Sequence, residues 1–369
     1  MILQTTSPQL VIDQSKCLSN IQMMVDKAKR HDIELAPHFK THQSHVVGGW
    51  MKEAGVRRIT VTSVRMAEYF ANDWHEILVA MPVNVLEHKK LNQLASKIQL
   101  DILAVDTEVI RVLSNHLTAE VGVWVEIDSG GKRTGVRAED YDRIEQLITE
   151  INDHPFLTFK GIYSHAGQSY SAKGAREIIN IHEASMARLR PLKQYLVSKG
   201  HKPLLRIGDS PTCSVADDFE DVDIIGPGNF VFYDLMQTEI GSCQMEQVSV
   251  VMVCPVIAKN EERQEVIIHG GAVHFSKDAL SLENGSKNFG QLMRFDQLGW
   301  STPIESCYIK SLSQEHGVLS VTREFYDEIN TGDLVCVLPV HSCLTAEGMR
   351  GYVTLEGNTV DHLQGNQLH

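Results

Sequence analysis

The chain has 369 residues, 43% of them hydrophobic and 22% charged, with a net charge of -13. That length exceeds one ordinary core and points to two domains. The acidic balance argues against nucleic acid or an anionic membrane as a partner, and no apolar run approaches the ~20 residues that span a bilayer.

The first residues, Met1-Ile2-Leu3-Gln4-Thr5-Thr6, lack a basic stretch and a long apolar one, so no signal peptide is expected. The seven cysteines are scattered, odd in number and free of any Cys-x-x-Cys pair. That usage fits reduced thiols in a cytoplasm.

In chain order, residues 8–13 read as a strand and 16–29 as a helix with Leu18, Ile21, Val25 and Ala28 on one face. Eight short apolar, β-branched segments follow, at 33–38, 58–63, 76–80, 101–106, 122–128, 159–165, 204–209 and 224–230. Helix-compatible stretches lie between them, among them 64–72, 139–152 and 173–199. Continuous apolar strands alternating with amphipathic helices predict a parallel sheet, and eight such units predict a (β/α)8 TIM-type barrel. A doubly wound sheet, which needs fewer strands, is the alternative.

Beyond about residue 240 the pattern changes to strands at 248–256, 264–269, 305–312, 318–321, 334–338 and 352–355, with little helix. The expected division is therefore a barrel over 13–240 and a C-terminal β-rich domain over 241–369, with the N-terminal strand 1–12 added to the latter. Residues 277–295 read as a loop-rich insertion and 360–369 as a frayed polar tail.

A barrel enzyme works at the C-terminal ends of its strands. The first strand ends at His38 and Lys40. The fifth ends at Asp128, ahead of Ser129-Gly130-Gly131-Lys132-Arg133. The sixth ends at Ser164-His165-Ala166-Gly167, the seventh at Gly208-Asp209-Ser210-Pro211-Thr212, and the eighth at Gly226-Pro227-Gly228-Asn229. An amine at Lys40, flanked by His38 and His42, is placed to hold an aldehyde cofactor covalently. The turns after strands seven and eight are where barrels commonly bind phosphate through backbone N–H groups. An amine and a phosphate cradle together are what pyridoxal phosphate (PLP) needs. Each feature also has a plainer reading: Lys40 as a surface lysine, Arg133 as a solvated loop cation, His165 as a satisfied core histidine, and the glycine turns as ordinary βα turns.

Near the C-terminus, His341-Ser342-Cys343 follows the apolar run 334–340. On an extended chain, residues two apart face the same side. One imidazole and one thiolate can then grip a single ion with positions left open, as a catalytic zinc requires. The plainer reading is a strand with a buried cysteine. His38, His42 and His45 crowd one region, so a metal-dependent barrel hydrolase without PLP is a second class.

These residues resemble the fold-type III PLP enzymes typified by alanine racemase, and most closely the branch of D-serine dehydratase and D-threonine aldolase. The resemblance spans nearly the whole chain. It is carried by Ser7-Pro8-Gln9-Leu10-Val11-Ile12-Asp13, by Pro37-His38-Phe39-Lys40-Thr41-His42, and by Asp128-Ser129-Gly130-Gly131-Lys132-Arg133-Thr134-Gly135-Val136. It continues through Pro227-Gly228-Asn229-Phe230-Val231-Phe232-Tyr233-Asp234, Gln314-Glu315-His316-Gly317 and Pro339-Val340-His341-Ser342-Cys343.

The resemblance implies catalytic Lys40, His341 and Cys343. It implies PLP binding by His38, Lys40, Arg133, His165, Tyr170, Gly208, Ser210, Thr212, Gly228 and Asn229, with Arg133 near the phenolate oxygen. It implies zinc, or another divalent metal, on His341 and Cys343. It also implies a homodimer acting on a small D-amino acid.

The departures carry meaning. Ala36 and Gln43 stand where this branch often has basic residues. Gly226 stands where alanine racemase has an arginine facing the pyridine nitrogen, which leaves Tyr170 or Tyr163 as a neutral partner. A thiol at Cys343, where aldolases of this branch have a carboxylate, favours loss of water over carbon–carbon cleavage. The expected activity is that of a lyase converting β-hydroxy D-amino acids to a 2-oxo acid and ammonia. Retro-aldol cleavage to glycine and an aldehyde is the alternative, and racemisation, which needs no metal, a further one. Some relatives are single-barrel PLP-binding proteins without a firm catalytic task, but they lack a C-terminal β domain.

Overall fold

Residues 5–296 and 299–365 are described in the computed structural model of the chain. The chain divides into two units. One comprises Ile21–Lys40 and Gly48–Phe230; the other comprises the residues up to Asn20, Thr41–Val47 and those from Val231 onward.

The first unit is a parallel barrel. Its strands are Glu34–Leu35, Arg58–Val61, Glu76–Pro82, Gln99–Ala104, Val121–Asp128, Leu157–Ser164, Leu204–Ile207 and Ile224–Ile225. Each pairs in parallel with its sequence neighbours, and the eighth pairs with the first. The fifth strand is buried along almost its whole length, as a strand covered on both faces must be.

The first strand is shorter than its apolar run suggested, because Pro37 has no N–H to give to a ladder. Its path nevertheless continues. Ala36 N–H donates to Ile225 O (2.8 Å), His38 N–H to Pro227 O (2.9 Å) and Phe39 N–H to Thr60 O (2.8 Å). A single parallel bridge, His38 to Thr60, joins the first strand to the second and closes the ring.

Ala36, Leu78, Leu103, Trp124, Tyr163 and Ile224 fill the interior, so the barrel is a packed core rather than a pore. The Trp124 indole N–H donates to Asp101 Oδ2 at 2.8 Å. A Cβ on Gly122 would lie 1.9 Å from Asp101 Oδ1, so any side chain there would have to displace Asp101 from Trp124. Arg206 is 2% exposed, and its Nη2 donates to Thr60 Oγ1 and to Ala36 O.

The second unit is a β structure. Six antiparallel strands form a closed circuit in the order Val250–Asn260, Glu265–His269, His316–Ser320, Gly299–Leu312, Gly290–Asp296 and Leu334–Pro339, the last pairing back to the first. Gln9–Ile12 adds to Val250–Asn260 antiparallel and to Tyr352–Thr354 parallel.

Several expectations are corrected. Residues 277–295 are not a loop-rich insertion: they include the hairpin Leu280–Ser281 with Lys287–Asn288 and most of the strand Gly290–Asp296. Leu18 lies off the buried face of its helix, Gln14–Arg30, at 39% exposure; Cys17, Ile21, Met24, Val25 and Ala28 form that face. The tail is not frayed where it is described, since Val360, Asp361 and His362 are all buried; residues 366–369 lie outside the described residues. Among the described residues no helix is long and apolar enough to cross a membrane.

Candidate functional site

The barrel rim gathers the residues expected to hold a cofactor. Lys40 is half-buried in the turn after the first strand, and its backbone N–H donates to His38 Nδ1 at 3.3 Å. Burial drives the His38 pKa well below its usual value, and the charges of Lys40, His165, Arg206 and Arg133 add to that. His165 immediately follows the sixth strand. Its pKa is pushed down to about 3, by burial first and then by Lys40 and Arg133. Neutral His165 gives its Nδ1–H to Gly208 O, which leaves Nε2 as the acceptor. Arg133 stands 63% exposed, with its Nη2 4.0 Å from Glu126. Asp128 Oδ1 shapes the loop before it by accepting from Gly130 N–H (2.9 Å) and Lys132 N–H (3.0 Å).

The turns after strands seven and eight interlock. Ser210 Oγ accepts from the N–H groups of Gly228 (3.2 Å) and Asn229 (2.8 Å), and Ser210 N–H donates to the Tyr170 hydroxyl (3.1 Å). A Cβ on Gly208 would meet Gly226 O at 3.0 Å, so glycine keeps the two turns in contact. Asp209 caps the helix Ser210–Val215 through Thr212 N–H (2.8 Å) and also holds Thr212 Oγ1 and Ser169 Oγ. Sequence reasoning placed Asp209 on the rim without a role; an Asp two residues before a Pro-initiated helix turn is the signal for one.

This rim fits PLP on its own geometry. It offers an amine after the first strand, and two backbone N–H groups of the turn after strand eight converging on the Ser210 hydroxyl of the turn after strand seven, where a phosphate would be held. It has no room for larger side chains at Gly208. The Tyr170 hydroxyl accepts from Ser210 N–H within this cradle. Tyr163 remains a protonated hydroxyl, its pKa raised to about 12 by burial.

In the other unit, His341 and Cys343 meet at a strand-to-helix turn, not on an extended segment as their spacing suggested. His341 has extended backbone at the start of the helix Ser342–Met349, and Cys343 lies in its first turn. The Cys343 side chain stands close enough to the imidazole to favour its charged form, and Thr41 Oγ1 lies 3.3 Å from Cys343 Sγ. Asp278 Oδ2 holds His341 Nδ1 at 2.7 Å. Asp234 Oδ2 anchors the turn by accepting from Ser342 N–H (2.9 Å) and Oγ (3.1 Å). Burial opposes protonation of His341, but Cys343, Asp234 and Asp278 together raise its pKa above the ordinary value.

A carboxylate that fixes Nδ1 of an imidazole standing beside a thiol is the donor chemistry of a zinc site. Asp278 and Asp234 were missed in the sequence because they lie far along the chain from His341. Only their acidity marked them.

The proposed crowd of His38, His42 and His45 does not form a metal cluster. His42 is fully buried and its Nδ1 accepts from Ser44 N–H at 3.1 Å. Among the described residues the one grouping of three ligating side chains is His269, His274 and Glu315. There Gly271 N–H donates to His274 Nδ1 (3.0 Å), so the ring proton sits on Nε2, 3.7 Å from Glu315. That tautomer offers the carboxylate a proton and an incoming cation no lone pair.

Residues 12–235 match the family model described as "Alanine racemase, N-terminal domain". The chain belongs to that family. Residues 249–355 match the model described as "Putative serine dehydratase domain". D-serine dehydratase of Dictyostelium discoideum is 25% identical over 370 residues, covering 94% of this chain and 92% of the relative. D-threo-3-hydroxyaspartate dehydratase of Delftia sp. (strain HT23) is 26% identical over 365 residues, covering 96% and 95%. Its solved structure superposes with a TM-score of 0.89 at 25% identity, covering 99% of both chains. D-threonine aldolase of Arthrobacter sp is 27% identical over 177 residues, 46% of each chain. The fold is thus that of the alanine racemase family, a TIM-like barrel with a β-rich C-terminal part.

Proposed function

We propose that this chain is a PLP- and zinc-dependent lyase of the D-serine dehydratase type. It would remove water from a β-hydroxy D-amino acid and yield a 2-oxo acid and ammonia. The observation that carries this reading is the imidazole–thiol pair His341 and Cys343, braced by Asp278 and Asp234. The likeness to two dehydratases over more than nine-tenths of the chain supports it.

Lys40 is the amine that would hold PLP, and the groups around Ser210, Gly228 and Asn229 would hold its phosphate. His38, Arg133, His165, Tyr170, Gly208 and Thr212 complete the assigned cofactor set. PLP supplies an electron sink for the bond broken at Cα. His341 and Cys343 would hold zinc, which supplies a Lewis acid toward a β-hydroxyl.

The chain's own groups then have distinct tasks. Lys40 Nζ takes the Cα proton. His165 stays neutral beside it, so it adds no competing positive charge while offering Nε2 as an acceptor. Asp278 keeps the His341 ring in one orientation, and Asp234 keeps the backbone of the turn in place. The enamine released after loss of water hydrolyses to the 2-oxo acid and ammonia.

We assign PLP binding to residues 13–240 and the metal ligands to 241–369, joined by the strand within 1–12. We also assign a homodimer and a cytoplasmic location. Retro-aldol cleavage is the second reading, favoured by aldolase relatives whose sequences match about half of the chain.

The deciding experiment supplies PLP and zinc to the purified protein and identifies the products from D-serine, D-threonine and D-threo-3-hydroxyaspartate. Pyruvate from D-serine, or 2-oxobutanoate from D-threonine, with ammonia, supports the dehydratase. Glycine with acetaldehyde from D-threonine replaces it with the aldolase. Neither set of products returns the problem to racemisation.

A further inference from the structure

We propose that the C-terminal segment Asp361 to Gln364 is a positioning strap for Cys343, and that Asp361 and Gln364 are positioning residues of the metal site. This rests on the metal reading above and adds residues that nothing in that reading requires.

The strap grips two elements at once. On one side Asp361 Oδ1 accepts from Ser44 Oγ (2.7 Å) and Val46 N–H (3.1 Å), while Oδ2 accepts from His45 N–H (2.9 Å). His45 and Val46 open the helix His45–Glu53. A carboxylate from more than 300 residues away therefore satisfies amides that a neighbouring N-cap would ordinarily satisfy. Leu363 N–H donates to Gln43 O at 2.9 Å, and the Tyr352 hydroxyl donates to His42 O. The backbone from His42 to Val46 is thus tied at successive residues.

On the other side Gln364 Nε2 donates to Glu347 Oε1, and Gln43 Nε2 donates to Glu347 Oε2 at 2.5 Å. Glu347 lies one helical turn beyond Cys343 on Ser342–Met349, so the two share a face. Between the tied loop and the tied helix is the Thr41 Oγ1 to Cys343 Sγ contact, at 3.3 Å.

Burial shows that this is not a loosely adsorbed tail. Asp361 and His362 are 2% and 0% exposed. A buried carboxylate is costly unless donors surround it. Here it meets three, all from the segment immediately following Thr41. The strap therefore sets where the Thr41 hydroxyl stands and, through Glu347, how the helix bearing Cys343 is turned. A thiolate ligand set in this way needs less reorganisation to bind an ion.

The test uses the full-length enzyme, Asp361→Asn, Gln364→Ala, and Ile268→Val as a control that loses core packing in a strand of the same unit. Zinc affinity is read by competition with a chromophoric chelator. In zinc-stripped protein, the rate at which an aromatic disulfide labels Cys343 is read separately; the other six cysteines are buried. Asp361→Asn puts an amide N–H against an N–H or a hydroxyl donor that the carboxylate now accepts. The expected result is zinc binding about 10-fold weaker and labelling several-fold faster, with a smaller change of the same sign in Gln364→Ala and neither change in Ile268→Val.

Wild-type zinc affinity and labelling in both strap variants overturn the proposal. So does an equal change in Ile268→Val, which would reduce the tail to general stabilisation. If Asp361→Asn does not fold, exposed Gln364→Ala decides alone by the same criteria. If the wild type binds no zinc yet labelling responds to the strap variants, the metal reading fails while the strap stands.

Discussion

Asp278 Oδ2 sits 2.7 Å from Nδ1 of His341, bracing one edge of the imidazole. Asp278→Ala should weaken zinc binding by about 10- to 100-fold, the usual effect of losing such a brace, while leaving PLP absorbance unchanged. Chelator competition and a cofactor spectrum on the same sample check both halves. Loss of the spectrum with retained zinc would contradict the assignment.

Lys40→Ala should remove covalently held PLP and lower kcat by at least about 10³-fold, since both attachment and proton transfer from Cα are lost. Borohydride reduction followed by peptide mapping reads the attachment directly. Substantial residual turnover would exclude Lys40 as the base.

Cys343→Ala should keep the PLP spectrum yet abolish loss of water from D-serine, and metal removal by a chelator should do the same to the wild type. Zinc added back restores activity only to the wild type. If both treatments leave turnover intact, the Lewis-acid role has no place in the mechanism.

Acid should destabilise the protein through buried neutral histidines. Burial pushes His42 down to about 3 and His362 to about 4, against about 6.5 in an unfolded chain. Between those values the unfolded state binds more protons than the folded state. Stability is therefore full above about pH 6.5 and falls as the pH drops toward the folded values, by up to about 1.4 kcal/mol per pH unit for each group. Thermal unfolding from pH 8 to pH 4 should show this limb, and His42→Asn should flatten it. An unchanged limb in a folded His42→Asn would assign the effect elsewhere.

Gly122→Ala should cost about 1–3 kcal/mol or more from overpacking, because the new methyl would fall 1.9 Å from Asp101 Oδ1 inside the barrel. Gly49→Ala, where a Cβ meets nothing within 4 Å, is the matched control in thermal unfolding. Equal melting temperatures would mean that Asp101 and Trp124 move aside at little cost.

The barrel was readable because its strands are continuous apolar runs, as in Val121–Asp128, and because glycine and polar residues recur where they end. The limits of that reading have local causes. Pro37 shortened the first regular strand while the chain kept its direction to Lys40. His341 and Cys343 were found by a two-residue spacing that belongs to strands, yet they meet at a helix start, where the same spacing also brings side chains together. Asp278, Asp234 and Asp361 stayed hidden because nothing local marks a carboxylate whose partner lies tens or hundreds of residues away. Asp361 was misread altogether: in sequence it is one acidic residue in a polar tail, and only its donors give it a place.

The pairing of Gln9–Ile12 between Val250–Asn260 and Tyr352–Thr354 has a consequence for how the molecule is made. The unit that carries the thiol and its imidazole draws its strands from segments that precede and follow the barrel residues. During synthesis the residues of the barrel emerge together and can close among themselves, whereas Gln9–Ile12 must wait for partners made hundreds of residues later. The unit that carries Cys343 and His341 is therefore completed only after the residues of the barrel have all been made.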